Sequence, residues 1–205
     1  QGNMVLGGDM QIGTLTLNDA ATMLLQDSSY TLTITGASAI TTGASSGAAT
    51  FNVPLVLSNA TPTFALASAN ALTLGGPISG AGTSLSKTGA GTLVLTGANT
   101  FAGALGVIAG TVQISNGAAL GTTAGATTVL SGAALEISGG ITVGAEALSI
   151  NGTGVTASPA GALRNVSGNN TFGGLLSLAG AATIQSDAGN LNITNAGTIA
   201  GTGGS

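Results

Sequence analysis

No apolar run in this chain lasts more than a few residues before Gly, Thr, Ser or Asn interrupts it. That one feature removes most folds from consideration. A membrane-spanning helix needs about 18 or more consecutive apolar residues, so the segment carries no such span. What remains is short stretches in which Leu, Ile or Val alternates with a polar residue, the period-2 pattern of a half-buried strand. The clearest stretch is 80–121, where strands are predicted at 92–95, 104–108 and 111–115 between glycine-rich corners. Similar strands are predicted at 14–17 and 31–35, with Asn18-Asp19 and Asp27-Ser28-Ser29 as turn formers between them. Residues 122–166 supply four more strand-like segments, with turns at Ser131-Gly132, Gly139-Gly140 and Asn151-Gly152. Met4, Met10 and Met23 read as core gap-fillers.

Internal repetition selects among all-β architectures. A pattern Ser/Thr-Gly-x-x-Thr-Phe occurs at 46–51, 96–101 and 167–172, so the first and last copies are 167 − 46 = 121 residues apart. A second pattern, Ile-x-Gly-x-Gly, occurs at 78–82 and 199–203, again 199 − 78 = 121 apart. Leu55 and Leu57 match Leu176 and Leu178 at the same offset. A sandwich has no reason to repeat at a fixed interval, whereas a solenoid lays each coil on the last. Reading offsets of 50, 71 and 121 as two, three and five coils predicts a coil of about 24 residues. The chain then holds about eight or nine coils, a stack roughly 40 Å tall at the spacing of β-strands. Three of the four Phe residues end the first pattern, so the rings are expected to plug the same part of the core in different layers.

Only 4% of residues are charged, against roughly 25% in ordinary soluble domains. The solenoid supplies a cause. Equivalent side chains in successive coils lie about 4.8 Å apart, and two like charges at that distance repel by about 0.9 kcal/mol even in water. Ladders of Thr, Ser, Asn and Ala avoid the penalty. Gly supplies positive φ at sharp corners. Pro54, Pro62, Pro77 and Pro159 are expected in loops or at coil boundaries, because proline cannot donate to a ladder. No linker interrupts the pattern, so residues 1–205 are expected to form one β-helix domain.

The central stretch resembles the autotransporter-associated β-strand repeat, also called the passenger-associated transport repeat. The likeness is carried by the seventeen residues from Leu85 to Phe101, with Lys87, Gly91-Thr92-Leu93-Val94-Leu95 and Gly97-Ala98-Asn99-Thr100-Phe101. It continues through Ala109-Gly110-Thr111-Val112-Gln113-Ile114 and Ala119-Leu120-Gly121. Phe101 stands where that family often has Tyr, and the following threonine-rich strand is reduced to Ala104-Leu105-Gly106-Val107. The resemblance implies a right-handed parallel β-helix in the secreted passenger of a bacterial surface protein. It also implies a role in secretion and in forming a rigid stalk, and no catalysis. The repeat array is expected to continue past Ser205, or the chain to stack end to end with copies of itself.

Chemistry is sparse. The chain has no Cys and no His, which removes thiolate and imidazole chemistry. Two cations, Lys87 and Arg164, against six acids give a net charge of −4 and no basic patch for nucleic acid. Glu136 and Glu146 are ten residues apart and are expected on different ladder positions, as solvated charges rather than the paired carboxylates of a polysaccharide-cleaving site. Neither Lys87 nor Arg164 has an evident acidic partner in the sequence. Gly7-Gly8-Asp9 is a lone fragment of a calcium-binding nonapeptide, so no metal is expected, and no cofactor is expected either. The threonine runs at 14–16, 31–35 and 61–63 do not follow a regular coil spacing, which weighs against an ice-matching ladder. The expectation is therefore a non-enzymatic extracellular stalk or fibre. The alternative is an adhesin passenger that binds glycans.

Overall fold

In a computed structural model, which describes residues 2–201 except 28, 81, 83, 157–160, 196 and 198, short parallel strands stack into three faces. All the secondary structure among these residues is strand or turn. The first face has nine strands, from Gly2–Met4 to Ile184–Ser186. The third face also has nine, from Leu15–Leu17 to Ala200–Gly201. The second face is split into four strands (Met10–Ile12, Leu32–Ile34, Leu55–Leu57, Ile78–Ser79) and three (Thr142–Val143, Asn170–Phe172, Leu191–Ile193). The chain visits the faces in the order one, two, three and repeats, except in the two coils that begin with Thr92–Leu95 and Gly110–Ile114, where the second side holds no strand. This is a β-solenoid. Its hydrogen bonds run along the stack and its side chains alternate inward and outward.

Coil length follows from one inward column of the first face: Met4, Leu25, Phe51, Leu74, Leu95, Ile114, Ile137, Asn165 and Ser186 are successive register partners. The eight steps cover 186 − 4 = 182 residues, about 23 per coil, close to the expected 24. Individual steps range from 19 residues (Leu95 to Ile114) to 28 (Ile137 to Asn165). The core is the inside of this tube. Leu, Ile, Val and all four Phe residues are buried there, with Phe64, Phe101 and Phe172 wholly so.

The 121-residue offset proves to mean something different from five whole coils. Leu55 and Leu57 lie on the second face, but their counterparts Leu176 and Leu178 lie on the third. Likewise Phe51 ends a first-face strand, whereas Phe172 ends a second-face strand. At about 23 residues per coil, 121 residues is five coils and one further side. Similar sequence recurs because the strand–corner unit is about one side long, and each side asks for the same alternation. Phe101 and Phe172 are equivalent, both on the second-face side and three coils apart, while Phe51 and Phe64 fill other columns. Of the paired Ile-x-Gly-x-Gly copies, Ala81, Thr202 and Gly203 lie outside the described residues, as does Pro159. Pro54, Pro62 and Pro77 each immediately precede a strand, as expected.

Two corner glycines show how tightly the coils approach. Gly89 has φ +78° and Gly110 has φ +69°. A Cβ at Gly89 would stand 2.3 Å from the carbonyl oxygen of Leu66 in the preceding coil, and one at Gly110 would stand 2.5 Å from that of Gly89. Both the backbone conformation and the space restrict these positions to glycine. Met23 packs against the core, but Met4 and Met10 occupy inward columns of the first coil and are 41% and 43% exposed.

Candidate functional site

The chemistry-bearing side chains are distributed along the stack, each held by its own corner or face. Lys87 is the most unusual. It lies in the third-face strand Leu85–Thr88, where Leu85 and Lys87 point inward and Ser86 and Thr88 outward. Its column is otherwise apolar: Ile40, Phe64, Lys87, Val107, Val129 and Ile150. The residue is 0% exposed. Its ammonium donates to three carbonyl oxygens at the corner between the third and first faces, those of Thr88 (3.1 Å), Gly89 (2.8 Å) and Ala109 (2.9 Å). An ammonium has three N–H donors and no acceptor, so all three are used. The carbonyls come from two successive coils, and the side chain ties one coil to the next. Burial lowers its pKa to about 8.

Glu146 is the acidic counterpart, at the corner leading into the strand Ala147–Gly152. It is 4% exposed and therefore not the solvated charge expected from the sequence. One carboxyl oxygen accepts a hydrogen bond from the Thr127 hydroxyl (3.0 Å) in the preceding coil. The other, Oε2, has no partner among the described residues. Burial raises its pKa to about 7, only partly opposed by the Thr127 hydrogen bond. The corner cannot open to solvate it cheaply, because the next coil lies directly on it: a Cβ at Gly174 would fall 1.5 Å from the Glu146 carbonyl oxygen.

Arg164 does have acidic partners, contrary to the sequence expectation. It stacks on Glu136 as a register partner on the outer surface of the first face, and its guanidinium donates to the Glu136 carboxylate at 2.8 Å. It also pairs with Asp187, one coil further on (Nε to Oδ2, 2.7 Å). The Gln185 side-chain amide donates to Asp187 as well. The Arg164 hydrogen bond holds the Asp187 carboxyl below its ordinary range. Where charges do stack in this solenoid they alternate in sign, which is the arrangement that ladder electrostatics permits. Glu136 and Glu146 lie on different faces, so the structure brings no carboxylate pair together from them.

Buried asparagines mark the corners between the first and second faces. The Asn99 carbonyl oxygen accepts from the Ile78 backbone N–H (2.8 Å) and its amide donates to the Ala119 carbonyl (2.6 Å), bridging three coils. Asn170 does the same with the Ile141 N–H (2.7 Å), and its amide donates to Asn165 and to the Ser167 carbonyl (2.9 Å). These asparagines distinguish two of the three Ser/Thr-Gly-x-x-Thr-Phe copies. Asn precedes Thr in both second-face copies, and Ala49 takes its place in the first-face copy. At Asn99 the side-chain amide supplies backbone-like hydrogen bonds where the second-face ladder is interrupted, while Asn170 makes its bonds at the start of the second-face strand Asn170–Phe172. Asn99→Ala is expected to cost roughly 2–4 kcal/mol, since it leaves a buried N–H and a buried C=O unpaired. Amide exchange of Ile78, measured by NMR, reads the loss directly. Protection of that amide equal to wild type contradicts the bridging role.

The threonine runs do not build a threonine column. Thr16 stacks on Thr41 with a hydroxyl–hydroxyl bond of 3.1 Å, but the next partner is Ala65, and Thr33 lies on a different face. Among the described residues no group of three or more His, Cys, Asp or Glu side chains could hold a metal ion. Among the described residues no helix is long and apolar enough to cross a membrane. The described surface includes a shallow cleft of about 140 Å³ between Thr16 and Ala49 and another of about 260 Å³ along the corner at Gly89, Ala90, Ala109 and Gly110. Neither is lined by paired titratable groups. The corner cleft runs directly over the carbonyls that Lys87 holds from inside.

Residues 85–114 match the family model described as the passenger-associated-transport-repeat. No curated protein and no solved structure matches the chain. The matched segment contains Lys87 with all three of its carbonyl partners, Asn99, whose bridged partners Ile78 and Ala119 lie on either side of the segment, and the shortest coil of the stack. The passenger repeat on a β-solenoid points to a structural role in a bacterial autotransporter passenger.

Proposed function

We propose that this chain is a segment of the rigid, non-catalytic stalk of a bacterial passenger, displayed at the cell surface or secreted. The observation that carries the reading is the passenger repeat at 85–114 lying within a hydrogen-bonded ladder that runs through nine strands on each of two faces. The mechanism is mechanical. Every coil is tied to the next by backbone hydrogen bonds parallel to the axis and by buried side chains, so the coils behave as a one-dimensional array with nearest-neighbour coupling. Side chains that link coils through polar chemistry, Lys87, Asn99, Asn170 and Arg164 among them, serve that coupling. Further coils, supplied by the passenger itself or by another copy, suit the inward-column residues Met4 and Met10 at one end and Ile184 at the other, which are exposed.

An antibody raised against the recombinant chain and applied to intact cells of the source bacterium should label the surface or its shed medium. Deleting one whole coil through 85–114 should lower the amount displayed. Labelling seen only after lysis, or display unaffected by the deletion, counts against the reading.

A further inference from the structure

The outer surface of the third face carries no charge, a property it shares with the second-face strands. Lys87 is the only charged residue in its nine strands, and it points inward. A central outward column runs Ser38, Thr63, Ser86, Gly106, Thr128, Ser149 and Ser177, each the register partner of the next. All are small and six of the seven carry a hydroxyl. The margins on either side of this column hold the face's large apolar groups. On one margin Ile108 and Leu130, following Val107 and Val129, are 44% and 43% exposed. On the other, Leu175 is 47% exposed. In three coils a large residue on one margin is matched by alanine on the opposite margin of the same coil: Ile108 with Ala104, Leu130 with Ala126, Leu175 with Ala179.

We propose that this face docks on the same face of a second copy of the chain, side by side and parallel, about a two-fold axis running along the solenoid. That operation superposes opposite margins coil by coil. Ile108 then meets the partner's Ala104, Leu130 the partner's Ala126 and Leu175 the partner's Ala179, while the hydroxyl column faces itself. An antiparallel arrangement sets large margin against large margin. A partner chosen by charge finds nothing on this face to read. Two copies, each of net charge −4, approach here with their charges on other surfaces.

The face is roughly 38 Å by 13 Å, so the pair buries about 1,000 Å², the lower edge for a specific interface. Association of one segment is therefore weak and grows with the number of coils in register. The inference goes beyond the stalk reading and stands without it.

The chain has no cysteine, which makes cross-linking clean. Under mild oxidation, Thr128→Cys and Ser177→Cys should each form a disulfide-linked dimer about tenfold faster than Thr73→Cys on the outer surface of the first face, equivalent to ~1.4 kcal/mol of association. Thr128→Lys or Ser149→Lys, each checked for a native circular dichroism spectrum, should abolish the dimer seen by sedimentation of the cysteine-free chain at high concentration. Equal cross-linking at Thr128 and Thr73, a monomer at every concentration, or a dimer indifferent to both lysines overturns the proposal. Ser177→Cys linking to Ser86→Cys in preference to itself overturns the parallel arrangement.

Discussion

Lys87→Ala will open the central coils, whereas Lys87→Met will leave them folded and weakened. The difference follows from what each change removes. Both eliminate the ammonium and leave the carbonyls of Thr88, Gly89 and Ala109 without their donor. An unpaired buried carbonyl costs about 1–3 kcal/mol. Set against this is relief of the buried charge, which the fall in pKa from 10.5 to about 8 values at roughly 3 kcal/mol. Met retains most of the stem, so its net effect is the difference between these two opposing contributions, a loss of about 1–2 kcal/mol. Ala also empties the space between Phe64 and Val107, which adds the cavity cost of a large-to-small change, about 2–5 kcal/mol. Damage in a nearest-neighbour array stays local. The informative measurement is therefore hydrogen exchange of the strands Thr92–Leu95 and Gly110–Ile114, beside global unfolding in denaturant. Ala and Met variants with the same protection as wild type would show that the ammonium holds nothing.

The coarse fold was legible because it is written in spacing. Alternation in Thr92–Leu95, glycine at the corners and the scarcity of charge each state a requirement of stacked coils, and all three agree. Coil length came out close for a partly mistaken reason. Sequence similarity tracks the strand–corner unit, which is one side of the coil, so an offset of 121 residues can equal five coils plus a side. Register partners, such as Leu55 with Ile78, are what fix the coil.

The special side chains were less legible, and for a physical reason. Lys87 and Glu146 look like surface residues by type, because charged groups are almost never fully buried unless paired. The signal that could have located Lys87 is its parity. It alternates with Ser86 and Thr88 at the position where Leu85 is already inward. No comparable parity exists for Glu146, which lies in a corner between strands, where alternation is lost. Arg164 and its acids are 28 and 23 residues apart, intervals that mean contact only once the local coil lengths are known. The asparagine bridge was partly visible, since Asn99 and Asn170 share a place in the repeated motif. Its role needed the interrupted second face.

The stability of this solenoid should pass through a minimum between about pH 7 and pH 8, where many proteins are near their maximum. Two buried groups set opposing limbs. Glu146 has a folded pKa of about 7 against an ordinary 4.5. Its protonated form is the one the fold accommodates, so its contribution is fully present below pH 4.5 and is lost as pH rises to about 7. The gap is worth on the order of 3 kcal/mol. Lys87 has a folded pKa of about 8 against 10.5. Its contribution is present above pH 10.5 and is lost as pH falls to about 8, again on the order of 3 kcal/mol. Asp187 acts in the ordinary acid range, where protonation breaks its pairing with Arg164 and stability falls again. Glu146→Gln replaces the carboxyl by a neutral group of the same shape that still accepts from Thr127. It should stabilise the chain by up to about 3 kcal/mol near pH 7, change little near pH 4.5, and flatten the limb between them. Lys87→Met should flatten only the alkaline limb. Denaturant midpoints collected across the full range for the three proteins decide the matter. A wild-type curve that is level from pH 4.5 to pH 7, or a Gln variant that keeps the wild-type slope there, would mean that Glu146 is ionised and solvated in the fold.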